Sequence, residues 1–195
     1  MLNYSSLTVH IKKKPMRTLR LVLSDQLTPE LASLRYLDKQ HDIVMLCETL
    51  EEATYVKHHK QKLVFQWASM RHFAADLTHQ GVKVHYVKWD EHSCASLDEA
   101  VQQALQLFKV DAIALTFPGE YRLLEKFLAW QQRLDIDISI LEDDRFLCSP
   151  AEFASWAKTR KILRMEYFYH HMRVKENVLL DEKKKPLGGQ WNFDK

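Results

Sequence analysis

LRLVLSDQL, residues 19–27, begins as a short apolar run and ends in a polar turn. Four similar apolar runs follow along the chain, at Ile43–Cys47, Val82–Val87, Asp111–Phe117 and Ile136–Leu141. Together with Leu19–Ser24 they predict five β-strands, because near-continuous runs of Val, Ile and Leu are typical of parallel strands buried on both faces. The third and fifth runs alternate more with polar residues, so we expect these two strands at the edges of the sheet.

Helical periodicity separates the predicted strands. Apolar residues recur every three or four positions from Leu63 and from Leu123, as in helices that cover one face of a sheet. Ser96 and Ser149 are each followed three residues later by Glu, which predicts two further helix starts. Gly81 stands where the helix that contains Leu63 is expected to end.

A weaker helical pattern lies between the first two strands and rests on Leu31, Leu34 and Leu37. Strands that alternate with helices indicate an α/β fold, in which crossover connections place the helices on the faces of a parallel sheet. We therefore predict a doubly wound, Rossmann-like domain with a five-stranded parallel sheet and helices on both faces.

Composition limits the function classes only broadly. The 195 residues carry 28 Lys and Arg against 26 Asp and Glu, a near balance that is weak evidence on nucleic-acid binding. Cys47, Cys94 and Cys148 are odd in number and have no C-x-x-C spacing, which argues against a disulfide framework and against a metal site. No segment is long enough to predict a membrane-spanning helix. We expect a cytoplasmic protein with reduced thiols.

We divide the chain into three parts. Residues 1–15 are expected to be a loose extension, because Lys12–Lys14 come too late for a secretory signal. Residues 16–158 form the predicted α/β domain. Residues 159–195 contain a predicted helix, Arg164–Glu176, and end in WNFDK, whose aromatic residues have little to pack against. We expect this last part to begin a linker to a further domain.

Polar residues gather where the first, second and fourth predicted strands end. They are Ser24, Asp25, Gln26, Cys47, Glu48, Glu51, Glu52, Gly119 and Glu120. Ligands of open parallel sheets bind at this edge, where the strand order reverses. The chain has only four glycines and no glycine-rich phosphate loop. Because carboxylates repel phosphate but accept hydrogen bonds from N–H and hydroxyl groups, we predict a neutral, hydroxyl-rich and aromatic ligand.

Each of these residues also has an ordinary structural role. Asp25 suits a turn or a helix N-cap, and Glu51 and Glu52 suit the first turn of a helix. Cys47 fits a small packed side chain better than a nucleophile. The residue pattern taken alone leaves both interpretations open.

Several segments, in this order, resemble the deoxyribodipyrimidine photolyase-related proteins, a group that includes the bacterial iron–sulfur (6-4) photolyases and related cryptochromes. They are LVLSDQL (21–27), LCETLEEATY (46–55), KHHK (57–60), MRHFA (70–74), TFPGEYR (116–122), MEYFYHHMR (165–173) and GGQWNFD (188–194). The resemblance covers about Met16 to Lys195, and its last two segments are the most specific, because nothing generic about α/β domains requires them.

The resemblance implies an N-terminal α/β domain that holds an antenna chromophore, 6,7-dimethyl-8-ribityllumazine. It also implies a larger helical C-terminal domain that binds FAD and a four-iron cluster and acts on DNA. The residues that match the family's antenna pocket are Asp25, Cys47 and Glu52, with Tyr55 a weaker member of its wall. Ser24 departs from the family, which usually has glycine there. By this resemblance the chain serves light-driven DNA repair or blue-light sensing in a longer protein and is inactive as an enzyme alone.

Two other interpretations remain at this point. The chain is a freestanding Rossmann-like protein that binds a small hydroxylated metabolite, or it is a non-functional remnant whose fold persists without a ligand. In each case the predicted partner of this chain is at most a small molecule, and contact with DNA would require the longer protein.

Overall fold

The computed structural model describes residues 16–89 and 94–193, and contains one five-stranded parallel sheet. The extension predicted over residues 1–15 lies outside the described residues. The strands are β1 (Thr18–Leu21), β2 (Ile43–Cys47), β3 (Val84–Val87), β4 (Ala112–Thr116) and β5 (Asp137–Leu141). Their order across the sheet is β3-β2-β1-β4-β5, and every neighbouring pair is parallel. The predicted fold class is confirmed, and the two more polar strands lie at the edges as expected.

Six α-helices accompany the sheet among the described residues. They are α1 (Leu50–Thr54), α2 (Lys60–His79), α3 (Leu97–Phe108), α4 (Tyr121–Arg133), α5 (Pro150–Lys158) and α6 (Met165–Lys175). The predicted N-caps are present, since Ser96 accepts a hydrogen bond from the amide of Glu99 and Ser149 accepts one from Glu152. Gly81 follows α2 at a φ of 81°, a left-handed conformation that costs glycine little.

Both faces of the sheet are buried. On one face, Met45 and Ile113 pack with Phe127 and Trp130 of α4 and with residues of α3. On the other face, Val44 and Leu46 pack against α2, mainly through Met70 and Leu77. Successive residues of β2 therefore enter opposite cores, which explains why the strand is apolar throughout instead of alternating.

The helix predicted around Leu31, Leu34 and Leu37 is wrong. This segment forms a single 3₁₀ turn, Ala32–Leu34, although Leu31 and Leu34 are buried as the pattern indicated. The buried side chain of Arg20 binds the carbonyl oxygens of Ser33 and Tyr36, which a longer α-helix would direct to its own amides.

The chain divides into two compact units, up to Asp143 and from Asp144 onward. The first unit contains the sheet with α1 to α4, and the second contains α5 and α6. Phe168 of α6 packs against Phe153 and Trp156 of α5 at ring-centre distances of 5.1 and 5.0 Å. These contacts group α5 with α6, whereas the sequence division at residue 158 separated them.

Candidate functional site

The strand order creates a crevice at the carboxyl ends of β1 and β4. After β1 the chain moves outward through β2 to β3, while β4 and β5 lie on the other side of β1. The connections that leave β1 and β4 diverge at this switch point, where open parallel sheets bind their ligands. A cavity of about 240 Å³, here called the switch-point pocket, lies in this crevice within the first unit.

The pocket brings together most of the residues that the sequence predicted for a site. Asp25, Cys47, Glu52 and Tyr55 all line it. Ser24 and Glu120 line it as well, whereas Gln26, Glu48 and Gly119 do not. Segments that are far apart in sequence therefore converge on one cavity, although the role of these residues in ligand binding stays a prediction.

An apolar wall faces these polar groups. It consists of Leu63, Trp67 and Met70 on α2, Leu97 at the start of α3, and Leu123 on α4. In the sequence these residues belong to regular apolar stripes, so they were interpreted as core. Their position along the chain could have indicated a site. A helix that connects two parallel strands begins at the carboxyl edge of the sheet, so its first turns lie at that edge. An apolar surface beside hydrogen-bond acceptors suits an aromatic ring system.

Glu52 is fixed by Arg122, a residue that the sequence analysis did not single out. Nη1 and Nη2 of Arg122 donate to Oε1 and Oε2 of Glu52 at 2.8 and 2.6 Å. Nε of Arg122 donates to Oε2 of Glu120 at 2.7 Å. The guanidinium also lies over the ring of Tyr55, 3.9 Å from its centre. The carboxylate expected to accept hydrogen bonds from a ligand therefore has a firm protein partner of its own.

The thiol of Cys47 is unsuited to nucleophilic chemistry. Burial raises its pKa to about 12, and the nearby Cys94 and Glu52 contribute to the same shift. Cys47 is consequently protonated at neutral pH, and the thiolate is the nucleophilic form of cysteine. The side chain serves as a small packed wall of the pocket, in agreement with the ordinary role that the sequence left open.

Ser24 is accommodated without backbone strain. It is not among the residues with positive φ, and its Oγ accepts a hydrogen bond from Nε2 of Gln66 on α2. The bond joins the turn after β1 to the helix that carries the apolar wall. Asp25, the next residue, is exposed at the rim. A Cβ atom on Gly119 would lie 3.3 Å from Oδ2 of Asp25, so this glycine lets the turns after β1 and β4 approach each other closely.

Gln26 connects two of the chain segments that form the crevice. The residue is fully buried, and its amide nitrogen donates to the carbonyl oxygens of Thr116 and Phe117 at 3.3 and 3.2 Å. It therefore ties the turn after β1 to the end of β4, the two connections that diverge at the switch point.

Glu48 does not line the pocket and has a structural role. Its carboxylate is buried and accepts hydrogen bonds from Arg71, from the hydroxyl of Tyr86 and from the amide of Trp89. Burial alone would raise the pKa of Glu48, but these donors outweigh it and leave the pKa below its ordinary value. Although Glu48 and Glu52 are four residues apart, only Glu52 lines the pocket.

Comparison with known proteins decides the family of this chain. The profile of the deoxyribodipyrimidine photo-lyase-related proteins matches residues 20–195. The chain belongs to this family. Its identity to a (6-4) photolyase of Agrobacterium fabrum is 41% over 180 residues, which are 92% of this chain and 35% of that photolyase. This photolyase-related chain therefore spans about a third of the length of that relative.

A second relative has a different length relationship. An uncharacterized protein of Acanthamoeba polyphaga mimivirus is 21% identical over 188 residues, which are 92% of this chain and 93% of the viral protein. The viral protein thus consists of little beyond the region that it shares with this photolyase-related chain.

The described residues offer a pocket with apolar and acidic surfaces. Within residues 16–89 and 94–193, no group of three or more His, Cys, Asp or Glu side chains is placed to hold a metal ion. The same part of the chain contains no helix with the length and apolar character needed to cross a membrane. The pocket offers aromatic and aliphatic surface from Trp67 and Leu63, and carboxylate acceptors from Asp25, Glu52 and Glu120.

Proposed function

We propose that the switch-point pocket binds an antenna chromophore of the ribityllumazine type, 6,7-dimethyl-8-ribityllumazine or a close relative. The observation that carries this proposal is the convergence of Asp25, Cys47, Glu52 and Tyr55 on one cavity at the switch point. Ligand-binding sites are expected at this point of a doubly wound sheet. The bound group would supply absorption of blue light and transfer of the excitation energy to a flavin elsewhere in a longer protein.

The composition of the pocket wall suits an uncharged ligand. Asp25, Glu52 and Glu120 are acidic, whereas Lys62 and His58 are the basic residues among those that line the cavity. Even with Arg122 paired to Glu52 and Glu120, these three carboxylates outnumber the cations Lys62 and Arg122, so a phosphate would meet net negative charge, whereas hydroxyl and ring N–H groups would find acceptors. A ribityllumazine has a planar bicycle, a polyol chain and no phosphate, so it matches both surfaces.

Different residues of the pocket would contact different parts of the ligand. Trp67 and Leu63 provide the surface on which a bicyclic ring packs, and Cys47 fills the space at the end of β2. Glu52 and Asp25 accept hydrogen bonds from the ligand, with Glu52 held in place by Arg122. The cavity of about 240 Å³ is somewhat smaller than typical enclosed ligand sites of about 300–1,000 Å³. The ring therefore fills the cavity, and the polyol extends to the exposed rim at Asp25.

The role of the longer protein is part of the same proposal. In this proposal the chain, which covers about a third of a (6-4) photolyase, would supply the light-collecting part of a longer repair enzyme or blue-light receptor. FAD, a four-iron cluster and contact with DNA belong to a further helical domain. The isolated chain would then bind chromophore without repairing DNA, and its place in the cell would be the cytoplasm.

Reconstitution tests the proposal directly. The purified chain is mixed with 6,7-dimethyl-8-ribityllumazine, passed through a desalting column and examined by absorption, by fluorescence and by mass spectrometry of the released ligand. Stoichiometric retention in the wild-type chain, with loss in Glu52→Ala, supports an antenna site. Retention that is equal in the two proteins, or no retention by a folded wild-type chain, contradicts it. Glu30→Ala, which alters an exposed carboxylate away from the pocket, is the matched control.

The second candidate function is that of a freestanding small-molecule-binding protein. The mimivirus relative favours it, because that protein is matched over 93% of its own length. Mass spectrometry of ligands that co-purify with the chain separates the two functions. A hydroxylated metabolite without blue-light absorption indicates the freestanding carrier, whereas a lumazine indicates the antenna.

A further inference from the structure

We propose that Arg122 is the positioning residue of the switch-point pocket and holds Glu52, Glu120 and Tyr55 in the arrangement that receives the ligand. The inference rests on the proposed function, because the ligand that it concerns is the ribityllumazine. Arg122 itself does not line the cavity, so it acts on the ligand through its neighbours.

The geometry of Arg122 is that of a hub with three partners. Its two terminal nitrogens donate to the two carboxylate oxygens of Glu52, and its Nε donates to Glu120. Its guanidinium stacks on Tyr55, whose hydroxyl in turn donates to Oε1 of Glu120 at 3.4 Å. All three partners line the pocket. One cation therefore fixes the relative positions of two carboxylates and one aromatic ring.

Arg122 also joins the two sides of the switch point. Glu52 and Tyr55 belong to the segment after β2, whereas Glu120 and Arg122 belong to the start of α4 after β4. β2 and β4 lie on opposite sides of β1. Without this hub, the acceptors on the two sides would each have to be ordered when the ligand binds, which lowers affinity.

The hub leaves the carboxylate of Glu52 able to bind a ligand. Each carboxylate oxygen has two acceptor sites, and Arg122 uses one on each oxygen. The planar guanidinium can occupy both oxygens of Glu52, bond Glu120 and stack on Tyr55 at the same time. Lysine, with one compact ammonium group, cannot reproduce this arrangement.

Lys126, one helical turn later on α4, forms ion pairs with residues that do not line the pocket. Its Nζ lies 2.7 and 2.8 Å from the carboxylate oxygens of Glu51 and 3.0 Å from Asp98. Glu51 precedes Glu52 on α1, so the two ion pairs join the same two helices. Neither Glu51 nor Asp98 lines the pocket. Lys126→Met thus removes an ion pair between the same two helices while Arg122 keeps all three of its partners.

The experiment compares the affinity of 6,7-dimethyl-8-ribityllumazine for the wild-type chain, Arg122→Met, Arg122→Lys and Lys126→Met by fluorescence titration. Thermal unfolding of each protein is measured alongside. We expect Arg122→Met to raise Kd by about tenfold to a hundredfold, because the side chains of Glu52, Glu120 and Tyr55 would have to be ordered when the ligand binds. Arg122→Lys keeps the charge, but this variant is still expected to bind the lumazine more weakly than the wild-type chain does. Lys126→Met is expected to stay within about twofold in affinity, whatever its effect on unfolding.

A double-variant cycle shows whether Arg122 acts through Glu52. In the Glu52→Gln background, Arg122→Met is expected to cost less affinity than in the wild-type chain, because the interaction shared with Glu52 is already weakened while those with Glu120 and Tyr55 remain to be lost. The inference is overturned if Arg122→Met binds as tightly as wild type, or if Lys126→Met weakens binding equally. Failure of the wild-type chain to bind the lumazine would instead refute the proposed function, and the inference with it.

Discussion

The guanidinium of Arg71 donates two hydrogen bonds to the buried carboxylate of Glu48, and both N–O distances are 2.7 Å. Glu48 follows β2 and Arg71 lies on α2, so the pair attaches the helix that carries the apolar pocket wall to the carboxyl edge of the sheet. The hydroxyl of Tyr86 and the amide of Trp89 complete the environment of the carboxylate. A charge that is buried in this way is stable only while its donors are present.

Glu48→Gln is expected to destabilise the chain. The carboxamide keeps the size of the side chain but loses the charge, and its NH₂ group faces donors instead of acceptors. We expect the free energy of unfolding to fall by about 2–3 kcal/mol, which urea denaturation would measure. Glu30→Gln, at an exposed carboxylate, is the control. Equal urea midpoints for the two variants would show that the buried network contributes nothing.

The lowered pKa of Asp98 allows a prediction of how the stability of the chain changes in acid. Its pKa is lowered from 3.8 to about 2, since hydrogen bonds from Trp130, Lys126 and Arg133 outweigh a burial effect that alone would raise it. Because the folded pKa lies below the unfolded value, the stabilisation is complete above about pH 4 and is lost as the pH falls toward 2. We expect a shallower loss between pH 4 and 2 in Asp98→Asn, measured by denaturation at each pH. Parallel curves for the two proteins would contradict this assignment.

The raised pKa of Cys47, about 12, predicts slow alkylation. The thiol of a free cysteine has a pKa of about 8.5, so at pH 8 a far smaller fraction of Cys47 is ionised than of a free cysteine. We expect iodoacetamide to modify Cys47 in the folded chain at least about tenfold more slowly than in urea, as followed by peptide mass spectrometry. Cys47→Ser identifies the labelled peptide. Equal rates in the folded and unfolded chain would mean that the thiol is open to solvent and ionises normally.

The acidic rim of the pocket predicts discrimination by charge. The 5′-phosphate ester of 6,7-dimethyl-8-ribityllumazine differs from the parent ligand only in a dianionic group that would meet the carboxylate of Asp25 at the exposed rim. We expect the ester to bind at least about tenfold more weakly at low salt, and the difference to shrink as salt screens the repulsion. Fluorescence titrations at two salt concentrations test this. Tighter binding of the ester would indicate a phosphate site instead.

Local patterns were sufficient for much of the fold. Ile43–Cys47 was predicted with the bounds that β2 has, because a continuous run of apolar residues needs no distant information to be recognised. The caps at Ser96 and Ser149 were predicted correctly, since each depends on atoms within three residues. The helix predicted near Leu31 was wrong because the distant side chain of Arg20 binds that segment's carbonyl oxygens.

Part of the candidate site could be predicted from local sequence, and part depends on contacts between residues that are distant in sequence. The sequence alone placed Asp25 and Glu52 at the ligand edge, because residues that follow parallel strands meet at one edge of the sheet. The residue pattern could not separate Glu52 from Glu48, four residues earlier, since both follow the same strand, and only the family resemblance singled out Glu52. The structure separates them through partners that come from elsewhere: Arg71 on α2 takes Glu48, and Arg122 on α4 takes Glu52. Such pairings follow from the strand order, which only the tertiary structure decides, because no local pattern specifies which distant side chains meet.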